Sequence, residues 1–252
     1  MFKYRELDLT SSLMEQNEII ENYIKKMVSP EGGLQILEAG CGQYWALDLG
    51  DVNYVLTGVD LDKHALNIRK NVRNDLHETI EADLRSVRLQ DSYYDVIYNS
   101  FVLEHIKGAE QVLNNFKKWI KPEGILVLLI PDRSSVQGFI TRFTPHWFHV
   151  FYYRLLGLRN AGKPGYAPYP VQYDSVVSRE GIRDFCIRNK LILLKEYGEG
   201  FNEPGKGIVK LLIKIFKRVV SALSFGMLSY KHTNLLYIIQ KPRRSTGSEA
   251  AA

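Results

Sequence analysis

Residues 34–62 read LQILEAGCGQYWALDLGDVNYVLTGVDLD, and one pattern occurs in this stretch twice. A short apolar run ends in a turn that carries an acidic residue. Glu38-Ala39-Gly40-Cys41-Gly42 closes the first run and Asp60-Leu61-Asp62 closes the second. Runs this continuously apolar suit strands covered on both faces, as in a parallel sheet. Glycines after the first strand let the backbone turn tightly and let a ligand come close. Gly-x-Gly alone fits a plain strand-to-helix turn equally well. The dinucleotide fingerprint needs a third glycine three residues on. Trp45 stands there, which disfavours a nicotinamide or flavin. Asp60, at the end of the next strand, can accept from both hydroxyls of a ribose. Asp62 suits the N-cap of the following helix better than Asp60 does.

Working outward, 63–74 predicts a helix, 78–84 a strand, 94–101 a strand, and 108–121 an amphipathic helix stopped by Pro122-Glu123-Gly124. A fifth strand follows over 125–131. Upstream, 11–28 predicts a helix capped by Ser11 or Ser12. Strand and helix alternate, which argues for a doubly wound α/β fold. After Pro131 the rhythm breaks, and 132–177 is rich in aromatics, glycine and proline with no clean period. A helix from Ser178 to about Asn189, a strand over 191–198, a helix over 207–224 and a strand over 235–241 complete the chain. One domain is expected over 1–242, with 243–252 as a disordered tail.

ILEAGCGQY, GVDLD, EADL, YDVIYNSFVLEHI and IKPEGILVLLIP, in that order, resemble the successive motifs of class I S-adenosylmethionine-dependent methyltransferases. The nearest pattern is the group acting on small molecules and on quinone or lipid precursors. The resemblance covers 34–131 and extends weakly to 178–198 and 235–241. It implies a Rossmann-like seven-stranded sheet with the last strand antiparallel. Insertions would follow strand five (132–177) and separate strands six and seven (207–224). It implies S-adenosyl-L-methionine as cofactor. Glu38, Gly40 and Gly42 would line its methionine part, Asp60 its ribose, and Leu61, Asp83 and Leu84 its adenine. Asn99 would approach the amino-acid end through its backbone. Tyr44 and Trp45 are bulky where the family often has a third small residue. They would pack over the cofactor or fill the core, and core suits Trp45 better. The Asn/Asp-Pro-Pro-Tyr element of base amino-methylating enzymes is absent at Asn99-Ser100-Phe101, which disfavours nucleic acid.

Methyl transfer needs alignment and exclusion of water, and a base is an addition rather than a necessity. His105, His146 and His149 are the candidates, since His105 follows the fourth strand and the other two lie in the insertion. His64 reads as a surface residue and Cys41 as packing. Between Phe143 and Tyr153 six residues are aromatic. Trp147, Phe148, Tyr152 and Tyr153 are expected to contact an apolar acceptor. A lone HxxH predicts no metal site.

Lys+Arg number 33 and Asp+Glu 28, a net charge of +5. Nine basic and no acidic residues lie between Lys206 and Arg244, leaving 24 basic against 28 acidic elsewhere. A uniformly basic nucleic-acid surface is thereby disfavoured. Lys206, Lys210, Lys214, Lys217 and Arg218 form a stripe on an otherwise apolar helix. That pattern reads as contact with an anionic membrane surface through 207–224, or as a cover helix with a solvated lysine face. Two cysteines and an N-terminus without an apolar core suit a cytoplasmic protein, peripheral on the membrane if that helix meets it. The expected activity is methyl transfer to a small, apolar or lipid-linked acceptor, oxygen before nitrogen or carbon. A non-catalytic adaptor on a cofactor fold and an RNA or protein methyltransferase are the competing readings.

Overall fold

The computed structural model describes residues 7–28, 32–155, 159–162, 169–172, 174–200 and 207–243. The side chains of Tyr152 and Tyr153 lie outside that description, as do Lys206, Tyr166, Tyr173 and the expected tail from 244 on. The strands are β1 (Asp8–Thr10), β2 (Leu34–Ala39), β3 (Tyr54–Asp60), β4 (Glu78–Glu81), β5 (Tyr94–Ser100), β6 (Ile120–Pro131), β7 (Ile192–Glu199) and β8 (Asn234–Gln240). They form one sheet in the order β1-β7-β8-β6-β5-β2-β3-β4. β8 is antiparallel to both β6 and β7, and the other pairings are parallel.

The doubly wound fold is as expected, but the strand count among the described residues is eight, not seven. The added strand is β1, which pairs with β7 through only three residues. Asp-Leu-Thr is too short to show a hydrophobic period. A second correction concerns Pro122-Glu123-Gly124. The helix α3 (Ala109–Trp119) ends before it, and the triplet lies inside β6. Tyr94 faces Ile120 while Val96 faces Ile125, so these residues form a bulge. Glu123 takes φ +65° there, and bulges of this kind are tolerated where the ladder is interrupted.

Helices cover both faces because each has one apolar stripe to bury. α3 and α6 (Arg179–Arg188) close one face through Val112, Leu113, Phe116, Ile182 and Phe185. α1 (Leu13–Lys25) and α2 (Lys63–Ile68) close the other through Ile20, Ile24 and Leu66. Ser12 caps α1, accepting from Glu15 N at 3.1 Å. The expected helix over 63–74 is α2 followed by a wide π turn, Arg69–Arg73.

The region after β6 was expected to be irregular. It holds α4 (Val136–Phe143) and α5 (His146–Leu155), whose aromatic residues obscured a helical period. Between β7 and β8 lies α7 (Gly207–Leu223). Both insertions start where a strand ends at the carboxyl edge of the sheet. Their roots are tied together: Val136 N donates to Ser229 O at 2.8 Å, and His232 Nε2 meets Asp132 Oδ2 at 2.7 Å. No described helix is long and apolar enough to cross a membrane.

Candidate active site

β2, β3, β4, β5 and β6 run parallel, so Ala39, Asp60, Glu81, Ser100 and Pro131 end on one edge. Ligands of open α/β sheets bind outside this edge. The first turn there requires its glycines. Gly40 has φ +76°, and a Cβ would come within 2.3 Å of Val102. Gly42 has φ +54° with nothing within 4 Å of the Cβ position. The first glycine is therefore packed from inside, and the second leaves open space outside. Gly40→Ala is expected to cost about 2–4 kcal/mol through overpacking and backbone strain. Gly42→Ala should cost only about 1 kcal/mol, the left-handed conformation alone, and weaken ligand binding instead. Thermal unfolding of both decides this, and equal losses would contradict it.

Asp60 joins this turn to the next strand. Its Oδ2 accepts from Gly42 N at 2.9 Å and its Oδ1 from Asp62 N at 2.8 Å. Each oxygen retains a lone pair for a ligand hydroxyl. Asp62 caps α2 as expected, accepting from His64 N at 2.8 Å. Leu61 stands 69% exposed beside Asp60. At the end of the third parallel strand, Asp83 is paired with Arg85 at 2.5 Å, and that guanidinium holds its carboxyl below the usual range. Leu84 sends its side chain into the core, and its carbonyl accepts from Asn115 Nδ2 at 2.9 Å. Trp45 packs edge-on to buried Tyr98 at 5.4 Å and Tyr44 is exposed. Burial pushes the Cys41 thiol up to about 12, with Glu38 and Asp60 adding to the shift. That fits a packing role.

Sequence reading missed Arg69, which sits on what looks like a surface helix. Its side chain is fully buried beneath the glycine turn. It donates to Glu38 Oε2 at 2.8 Å, Cys41 O at 2.7 Å and Asp75 Oδ1 at 2.8 Å. Glu38 thus braces the turn from below. Burial pushes its carboxyl up to about 8, opposed by the Arg69 guanidinium. Gly58 was also missed: a Cβ there would come within 2.6 Å of Leu76 and 3.0 Å of Cys41 Sγ.

Asn99 lies within β5, fully buried, and its Nδ2 donates to Ala39 O at 2.7 Å. Its Oδ1 is buried without a hydrogen-bond partner among the described residues, and so is Glu104 Oε2. Burial pushes the Glu104 carboxyl up to about 7. Sequence reading gave Asn99 only a backbone role and gave Glu104 none. Partnerless buried oxygens at one strand end suit a cationic ligand group.

His105 follows in the turn Leu103–His105. Its Nδ1 lies 2.8 Å from Pro170 O. A carbonyl only accepts, so Nδ1 carries the proton. Burial lowers its pKa, which favours the neutral ring with a lone pair on Nε2. Tyr169 packs edge-on to His105 at 5.6 Å. Burial raises the Tyr169 phenol, with the Asp62 and Asp60 carboxylates adding to the shift. Gln172 N donates to Glu104 O at 2.7 Å and Asp174 Oδ2 accepts from Gly108 N at 2.6 Å. The end of the insertion is therefore sewn onto the His105 turn. The other histidines stand apart from this arrangement. His149 Nε2 lies 2.9 Å from Thr144 Oγ1 within the α4–α5 turn, and His146 is exposed. Trp147 and Phe148 are also exposed.

A Rossmann-like sheet with this turn and these acids defines the class of protein. Residues 37–128 match the family described as a methyltransferase domain. They are similar to class I S-adenosylmethionine-dependent methyltransferase domains. The chain is 29% identical over 104 residues to a probable S-adenosylmethionine-dependent methyltransferase of Mycolicibacterium smegmatis, covering 41% of this chain and 40% of that one. It is 27% identical over 127 residues to the ubiquinone biosynthesis O-methyltransferase of Haemophilus ducreyi, covering 47% and 54%. The alignments thus span about half or less of these relatives. An S-adenosylmethionine-dependent methyltransferase structure from Archaeoglobus fulgidus shares the fold: TM-score 0.52, 17% identity, 91% of this chain and 95% of that one. S-adenosylmethionine is the cofactor of this family, and the site fits it. Gly42 offers open space, Asp60 suits a ribose, Leu61 offers an apolar face, and the partnerless Asn99 Oδ1 and Glu104 Oε2 suit an ammonium.

Proposed function

We propose that this protein methylates a small, apolar or lipid-linked acceptor, at oxygen first. The observation that carries this reading is the His105 turn, with its Nδ1 on Pro170 O and Tyr169 against its ring, at the sheet edge where Asp60 also ends. When bound, S-adenosylmethionine supplies an electrophilic methyl carbon on a sulfonium. Asp60 would hold the ribose hydroxyls, Leu61 and Asp83 would flank the adenine, and Asn99 and Glu104 would receive the ammonium. Tyr169 and the segment sewn to the His105 turn would exclude water. Alignment of this kind can supply roughly 7–11 kcal/mol. His105 Nε2 would take the proton of the acceptor hydroxyl as the new carbon–oxygen bond forms. Residues 207–224 would supply a surface from which a lipid-linked acceptor could enter.

The test is transfer of labelled methyl groups to a mixture of quinone and lipid precursors. Label in the organic phase supports the proposal; label only in protein or RNA overturns it. For the base, His105→Gln should lower kcat by roughly 10²–10³-fold. In the unaltered protein the rate should fall as pH drops below the ordinary histidine range, because a lowered pKa keeps the ring neutral until then. This acidic limb should vanish in His105→Gln. An unchanged rate with the limb intact would assign the base elsewhere.

A further inference from the structure

The face that α7 presents differs from the one its charges suggested. Lys217 is buried, 5% exposed, on the side turned toward the fold. Ile208, Leu211, Leu212, Ile215, Val219 and Leu223 are all exposed, Leu223 by 75%. At 100° per residue they fall within an arc of about 120°. The helix therefore stands apolar side out. α4 packs against α7, and it exposes Phe143. α5 follows after two residues and exposes Trp147 by 68%. Monomeric soluble proteins rarely present an apolar surface on this scale without a partner for it.

Charge identifies the partner. Residues 133–173 hold five Lys/Arg and no Asp or Glu, and residues 206–244 hold nine and none. The rest of the chain has 19 basic against 28 acidic residues. These two stretches thus carry only cations on an otherwise acidic fold, and Arg142 on α4 and Lys214 and Arg218 on α7 are exposed. A second copy would bring two cationic surfaces together, and nucleic acid would leave the apolar arc unburied. We propose that α4, α5 and α7 dock on an anionic lipid bilayer. Their apolar side chains would enter the headgroup–acyl boundary and their cations would meet the lipid phosphates. Trp147 would lie at the interface, where tryptophan is favoured. This goes beyond the methyl-transfer reading and does not depend on it. The two insertions start at the same sheet edge as Asp60 and His105, so docking would turn the candidate site toward the membrane.

The experiment is sedimentation of the full chain with phosphatidylcholine vesicles, with and without phosphatidylglycerol. Binding to the anionic vesicles is expected to be at least tenfold tighter and to weaken with salt. Leu212→Glu with Val219→Glu should lose at least tenfold, with S-adenosylmethionine affinity and thermal midpoint unchanged. Lys214→Gln, an exposed change that leaves the fold intact, should lose about fivefold. Trp147 fluorescence should be quenched by brominated lipid. No binding to anionic vesicles, equal binding by the variants, or an unquenched Trp147 would overturn the proposal. So would a dimer or an RNA complex abolished by the same changes. Loss of methyl transfer without loss of vesicle binding would count against the proposed function and leave this inference standing.

Discussion

Arg69→Met is expected to destabilise the protein by about 3–5 kcal/mol at pH 8, the usual cost of removing one partner of a buried ion pair. For a chain of this size that is a fall of roughly 6–20 °C in thermal midpoint. The reason is geometric. Methionine can fill the space, but Glu38 Oε2 and the Cys41 carbonyl then lose donors now at 2.8 and 2.7 Å. The cost should depend on pH. The folded carboxyl of Glu38 is raised from 4.5 to about 8. A carboxyl raised in this way takes up a proton on folding, so its contribution to stability is present below 4.5 and is lost as pH climbs through about 8. Removing Arg69 removes what opposes that rise. The variant should therefore be closest to the parent near pH 5 and furthest from it near pH 9. Adding Glu38→Gln should restore part of the loss and flatten the pH dependence. A loss below about 1 kcal/mol at pH 8 would mean that the turn is not braced from below.

Asp60→Ala should weaken S-adenosylmethionine binding by at least 10²-fold in calorimetry. Two hydrogen bonds to an ionised carboxylate contribute roughly 1.5–3 kcal/mol each. The structural cost should be smaller, about 1–2 kcal/mol, because Gly42 N and Asp62 N lose their acceptor near solvent. Asp60→Asn keeps one acceptor oxygen and should fall between the two. A loss below tenfold for Asp60→Ala would remove the ribose role and with it the main support for methyl transfer.

Much of this arrangement is legible in the sequence because it follows from strand ends. Apolar runs mark β2, β3 and β5, and Gly40, Gly42 and Asp60 lie at the ends of the first two. The illegible parts are those in which distant segments decide the outcome. Arg69 reads as one of several solvated cations until the π turn carries it under Cys41. Glu104 carries no reading of its own until burial isolates its oxygen. His105, His146 and His149 cannot be ranked from the sequence, yet only His105 has its Nδ1 on Pro170 and Tyr169 at its ring. The outward face of α7 is the sharpest case. Periodicity locates an apolar arc and a basic arc, but which one turns inward depends on α4, and Lys217 went in.

The join between β7 and β8 has a further consequence. Thr233 N donates to Glu199 O at 2.9 Å, so the residues flanking the α7 segment are already neighbours in the ladder. A detour whose two ends touch can be shortened, lengthened or exchanged at little entropic cost, and the register of β8 against β6 and β7 need not change. α7 is in that sense a cassette. A lineage carrying this sheet could acquire or discard it in one step while the glycine turn and Asp60 stay intact.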